Sequence, residues 1–191
     1  MPMQGDTVLW SPVWTIERWD ADQTAWLAER LGRAPLADDF YRAGIASDAT
    51  TLVEGNLLTT AGLNRMTSLI IAGGGQAPTN TAARIGVGDG AGSAAVGDTD
   101  LSAAAGSTHR WFQAMDATFP TQSNGLMTFK STFASADGNF AWNEFGIDIG
   151  TPTVTSGNTV NATLLNHKTS IAQGTKASGQ TWAATATITL S

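Results

Sequence analysis

The chain has 191 residues, no cysteine, 16 acidic and 10 basic side chains, and a formal net charge of −6. Disulfides, thiolate metal sites and cysteine nucleophiles are therefore excluded, and a basic footprint for nucleic acid is missing. Only 14 % of residues are charged and 21 are glycine; this balance suggests a β-rich structural protein with a real core rather than an enzyme with dense electrostatics.

No apolar run approaches the ~18 residues of a membrane span. The opening Met1-Pro2-Met3-Gln4-Gly5-Asp6 has no basic region followed by an apolar stretch, so no secretory signal is expected. Composition changes near residue 55. Residues 1–55 hold 9 acids and 4 bases, whereas 56–191 hold 7 and 6. Four of the seven Trp fall in the first 26 residues. We read 1–55 as an acidic, Trp-rich N-terminal arm or docking segment, partly helical. Residues 56–191 read as one β-rich structural domain.

In the arm, Asp20 or Asp22 can cap a helix that runs to about Leu31, with Gly32 as its stop and Pro35 breaking the chain. Residues 36–55 give a mixed pattern. Thr59 or Thr60 caps a second helix, in which Leu63, Met66, Leu69 and Ile70 recur at helical spacing before Gly73-Gly74-Gly75. Beyond it the signals are β. Arg84–Gly88 reads as a short strand opening into a loop, Asp89 to Asp100. Runs 109–119 and 126–133 read as a hairpin across Asn124-Gly125. A strand over 140–149 follows the turn Asp137-Gly138, then a polar loop or flexible tip over 151–160 and a strand over 162–171. The last run, 181–190, alternates Trp182, Ala184, Ala186, Ile188 and Leu190 with a mostly threonine face, as a half-buried antiparallel strand does. The expected architecture is mainly β: an antiparallel β-sandwich-like domain with one short helix, preceded by the arm. Ile85, Val87, Trp111, Phe129, Phe133, Phe145, Ile147, Trp182 and Ile188 are the expected core.

Several motifs invite chemistry and most have a plainer reading. Gly86-Val87-Gly88-Asp89-Gly90-Ala91-Gly92 lacks the helix and the distant acid of a dinucleotide site, so it reads as a tight glycine turn. Asp89, Asp98 and Asp100 offer oxygens to a calcium ion, but turn chemistry accounts for acids in such a loop. Glu144 beside Trp142 and Phe145 is a candidate general acid for glycan hydrolysis, with Asp148 or Asp116 as the second carboxylate. Its plainer reading is a partner for Arg84, Arg110 or backbone amides. Asn161-Ala162-Thr163 is a formal glycosylation sequon. Trp10, Trp14, Trp19 and Trp26 are read as interface anchors, because aromatics dominate binding hot spots; the other reading is a platform that stacks sugars. No catalytic residue, metal or cofactor is assigned.

The pieces occur in an order that resembles a known group. Asn56-Leu57-Leu58-Thr59-Thr60-Ala61-Gly62, Arg84-Ile85-Gly86-Val87-Gly88-Asp89-Gly90, Asp98-Thr99-Asp100-Leu101 and Asn143-Glu144-Phe145-Gly146-Ile147 resemble segments of tailed-bacteriophage virion proteins, of the minor tail or tail-collar fibre kind. Leu164-Leu165-Asn166-His167-Lys168 and Gly179-Gln180-Thr181-Trp182 extend the likeness. The resemblance covers about two-thirds of the chain and leaves out residues 1–55. It implies a non-enzymatic structural component of the virion, assembled in the bacterial cytoplasm, which docks on other virion subunits and self-associates, a trimer being usual for fibre types. Tail, collar, fibre base and capsid-surface decoration all fit. A carbohydrate-binding receptor-recognition module is the alternative and a glycan hydrolase the third reading; neither nucleic acid nor membrane is an expected partner.

Overall fold

The computed structural model describes residues 10–150 and 162–191, and beyond these only the backbone of two short strands, β9 (Val154–Thr155) and β10 (Thr159–Val160). The proposed tip at 151–160 and the sequon at Asn161 otherwise lie outside the described residues.

Two five-stranded antiparallel sheets pack face to face. The first has the order β2-β1-β12-β7-β6, built from β1 (Trp10–Trp19), β2 (Ala49–Glu54), β6 (Thr121–Ser123), β7 (Leu126–Phe133) and β12 (Thr181–Leu190). The second has the order β3-β11-β8-β4-β5, built from β3 (Leu57–Leu58), β4 (Ala83–Gly88), β5 (Arg110–Ala114), β8 (Glu144–Ile149) and β11 (Thr163–Lys168). Alternation drives the assembly. On the first sheet Trp14, Ile16, Phe129, Phe133, Trp182, Ala184, Ala186 and Ile188 point inward, and on the second Ala83, Ile85, Val87, Phe145, Ile147, Ile149 and Leu165 meet them. Trp14 lies 4.9 Å from Phe145 between ring centroids, and Trp142 fills one end of the core edge-on to Phe133 and Trp182 at 4.7 and 4.8 Å.

The expected mainly β, sandwich-like domain is present, with three helices. In α1 (Ala21–Leu31), Asp20 Oδ1 accepts from the Gln23 amide at 2.7 Å. It stops at Gly32, whose φ of 66° is the left-handed conformation glycine takes freely. α2 (Ala37–Arg42) was not distinguished in the mixed stretch 36–55. In α3 (Thr60–Ile70), Thr59 Oγ1 accepts from the Gly62 amide at 2.9 Å.

Two expectations are corrected. The first is the separate arm. β1 pairs with β12 along its whole length, from Trp10↔Leu190 to Trp19↔Thr181, and β2 flanks it on the other side. The described part of residues 1–55 thus supplies two of the five strands of the first sheet, and a boundary at 55 would cut through the sandwich. Acidic content misleads here because Asp20, Asp22, Glu29, Asp38, Asp39 and Asp48 sit on or beside the helices and turns, and the two strand acids, Glu17 on β1 and Glu54 on β2, lie outside the core, while β1 itself is apolar on its inward face. The second correction is the hairpin. β5 joins β4 in the second sheet, and the partner of β7 is the three-residue β6. Asn124 and Gly125 do form the turn, with φ of 49° and 78°, the pair of positive angles that a two-residue hairpin favours.

α1 and α2 cover the outer face of the first sheet. Trp19, Leu27, Ala37, Phe40 and Ala183 form a second, small core there, with Trp19 stacked on Phe40 at 4.5 Å. The start of β12 is therefore buried on both faces.

Candidate functional site

The outer face of the second sheet carries the chain's densest group of buried ionisable residues among those described. Its floor is a stripe without side chains: Gly86 and Gly88 on β4, and Gly146 on β8, with Gly86 and Gly146 paired in register. A Cβ at Gly146 would sit 2.8 Å from Leu164 Cδ1 and 3.0 Å from Leu101 Cδ2. Glycine is required there because the long loop 89–109 lies down on the sheet, with Leu101 and Phe112 buried against each other beneath it.

Glu144, at the start of β8, anchors that loop. It is 0 % exposed. Its Oε2 accepts from the Ser102 amide at 2.9 Å and the Ser102 hydroxyl at 2.6 Å, and its Oε1 accepts from the Ala103 amide at 2.7 Å. His167 on β11 completes the group, with Nε2 2.8 Å from Glu144 Oε2 and Nδ1 2.6 Å from Asp98 Oδ2. Both ring nitrogens face carboxylates, so both are used fully only when both carry protons. Burial by itself lowers the His167 pKa, but the hydrogen bonds to Glu144 and Asp98 outweigh it and the net shift is upward. Burial likewise pushes Glu144 up, but His167, Ser102 and Ala103 pull it below the ordinary carboxylate range. Asp98 is lowered too: the Ala95 amide and His167 overcome its burial.

Further along the same face, Asp148 is 1 % exposed and pairs in register with Arg84. Burial, then the charge of Asp100, push its carboxyl up to about 8, against the Ala162 amide, Arg110 and Arg84. Arg110 meanwhile donates to Asp100 Oδ2 at 2.6 Å. At the loop's entry Asp89 Oδ2 lies 2.8 Å from His109 Nδ1. A shallow cleft of about 440 Å³ opens beside His167, walled by Asn56, Leu57, Ser93, Ala94, Lys168 and Thr169.

The three acids considered for calcium do not converge. Asp89 goes to His109, Asp98 to His167 and the Ala95 amide, and Asp100 to Arg110 and the Leu101 amide. Among the described residues no three acidic or histidine side chains form a metal-binding group. Glu144 is bound to backbone amides as its plainer reading has it, though its charged partner is His167 rather than an arginine. Asp116 belongs elsewhere: its carboxylate accepts from the amide and hydroxyl of Thr132 on β7.

The four tryptophans separate. Trp14 and Trp19 are 0 % exposed and belong to the two cores, which corrects their reading as docking anchors. Trp10 is half-buried and donates to Asn56 Oδ1 at 2.7 Å. Trp26 alone of the four is well exposed, at 48 %, with the Arg30 guanidinium 4.5 Å from its ring. Strand periodicity explains the split: even positions of β1 face the sandwich, and Trp19 faces the helices.

Sequence reasoning missed the Asp98–Glu144–His167 group. No local spacing reveals it, since the three residues come from a loop and two strands. The available signal was that all three lie in the segments of the resemblance. All of those segments except 179–182, at the start of β12, bond to one another. Thr59 donates its hydroxyl to Leu164 O at 2.5 Å, and its amide to Leu165 O at 3.1 Å. The Asn143 amide donates to Gly88 O at 2.8 Å, and its side chain to Asp89 O at 3.1 Å. Asp98 and Glu144 meet at His167. No family model, curated protein or solved structure matches the chain.

Proposed function

We propose that the protein is a non-enzymatic structural component of a tailed-bacteriophage particle, of the minor tail, collar-fibre or capsid-surface kind, that docks on other virion subunits. The observation that carries this reading is the convergence just described. Five of the six sequence segments that resemble phage virion proteins are far apart in the chain, yet they bond to one another at and beside His167. A set of motifs that forms one physical unit is stronger support than five separate short likenesses. What the unit does locally is hold a loop on a sheet, which is structural work.

The chemistry of Glu144 supports the same conclusion. A glycosidase acid must reach a glycosidic oxygen. This carboxylate is wholly buried, and it faces His167 and the loop that covers it. Exposed apolar groups supply docking surface: Leu63 and Ile70 of α3, Ile71 just beyond it, and Trp26 of α1 are 48 to 81 % exposed. Self-association, a trimer included, rests on the resemblance alone.

Electron cryo-microscopy of phage particles from a strain that encodes the chain tests the proposal. Density that fits the two-sheet sandwich on the tail, collar or capsid surface supports it. A particle fully accounted for by other chains refutes it. The half-exposed Trp26 also favours a second reading, a sugar-stacking module; binding on a glycan array that is lost in Trp26→Ala would select that one.

A further inference from the structure

Lys176 is a buried amine whose hydrogen-bond acceptors are neutral. It is 0 % exposed, and its Nζ donates to Ala134 O and to Asn139 Oδ1, each at 2.8 Å. Both ends of the contact are fixed by backbone. The Lys176 amide donates to Phe140 O at 3.1 Å, next to the bridge between Ala141 and Thr175. Asn139 closes a tight turn in which the Asp137 amide donates to Ala134 O at 3.0 Å and Asp137 Oδ2 accepts from the Ala134 amide at 3.1 Å. The Asn139 amide nitrogen is itself held, donating to Ser135 O at 3.0 Å. Phe133 and Trp142 pack against the turn at Gly138. Burial pushes the Lys176 amine down to about 8, with the charge of Asp137 opposing it, so the nucleophilic free amine is within reach at neutral pH.

We propose that Lys176 and Asn139 are joined by an intramolecular isopeptide bond, formed with Asp137 as the proton carrier. Rotation of the Asn139 carboxamide turns the face of Cγ toward Nζ. The Nζ lone pair attacks Cγ and the new C–N bond forms. The Asp137 carboxylate, two residues away on the same turn and near enough for its charge to act on the amine, swings from the Ala134 amide to take the proton released from Nζ. It returns that proton to Nδ2 as the Cγ–Nδ2 bond breaks, and Nδ2 leaves as ammonia. An amine and a primary amide become a secondary amide plus ammonia, with no oxidant, reductant or cofactor. Asn139 is on the exposed side of the turn, so the leaving group has a route to solvent. The product ties the turn after β7 covalently to the segment leading into β12, which hydrogen bonds from Lys176 Nζ and from the Gly179 amide to Ser135 O otherwise join to it. Cross-links of this kind restrict the unfolded chain.

Intact-mass spectrometry of the purified full chain in denaturant, followed by digestion and fragment sequencing, is the test. The proposal requires a mass lower than the sequence mass by one ammonia, and a branched peptide that joins residues 139 and 176. Lys176→Met should restore the full mass. Asn139→Asp should form the same link with loss of water instead. Asp137→Asn should leave a larger unlinked fraction, and an unchanged fraction would remove Asp137 from the scheme. The full sequence mass in the native chain overturns the proposal. So does an ammonia loss that maps to a succinimide at Asn124-Gly125.

Discussion

His167 Nε2 lies 2.8 Å from Glu144 Oε2, in a pair of side chains that are 1 % and 0 % exposed. An ion pair taken this far from water is costly to form and more costly to break, because removing one partner strands the other charge. Its effect is local. Glu144 holds Ser102 and Ala103 of the covering loop, His167 holds Asp98, and together they fix both halves of the loop to the sheet.

The pair sets a pH dependence. The His167 pKa is raised in the fold above 6.5, so its stabilisation is complete below 6.5 and is lost as pH rises through the folded value. Asp148, raised to about 8, acts in the same direction from 3.8 upward. Glu144 and Asp98 are lowered, so their stabilisation is present above 4.5 and 3.8 and is lost as pH falls through their folded values. The thermal midpoint should therefore peak on the acid side of neutrality and decline between pH 6.5 and 8. A midpoint that climbs over that interval would contradict this electrostatic account.

Glu144→Ala should destabilise the protein by about 3–5 kcal/mol, the usual cost of stranding a buried charge. Hydrogen exchange should accelerate first in residues 95–103. If the loss of protection were instead uniform along the chain, Glu144 would not be the loop's local anchor.

Gly62 and Gly97 form a matched pair of substitutions. A Cβ at Gly62 would collide with the backbone carbonyl of Leu165, whereas a Cβ at Gly97 meets nothing within 4 Å. Gly62→Ala should cost about 1–3 kcal/mol through overpacking, measured by urea denaturation. Gly97→Ala should stay within about 0.5 kcal/mol, as for an ordinary surface change. Equal effects would mean that the start of α3 does not sit against Leu165 of β11.

Trp14 and Trp26 separate folding from docking. Trp14→Ala should cost about 3–5 kcal/mol, as large core truncations do. Trp26→Ala should leave the fold within about 0.5 kcal/mol and lower incorporation into particles. The reverse pattern in a denaturation and assembly assay would overturn the assignment of the two residues.

The sequence made some of this legible and hid the rest, for physical reasons. β12 and the caps at Asp20, Gly32 and Thr59 depend on neighbours within a few residues, so local pattern sufficed. The placement of Ile85, Val87, Phe145, Ile147 and Ile188 in the core followed from strand parity. Trp111 was over-read: at an edge strand it is only half-buried. Trp14 and Trp19 were misassigned because their burial depends on β12, more than 160 residues downstream. No local pattern shows the His167 group, for the same reason: it exists only once β8, β11 and the loop are adjacent.

The proposed place of the chain as a built-in part of a phage particle is open to quantitative mass spectrometry across a density gradient of purified particles. The protein should co-sediment with the particles at a fixed ratio to the major capsid protein that survives a salt wash. Recovery of the protein only in the soluble fraction at the top of the gradient would contradict it.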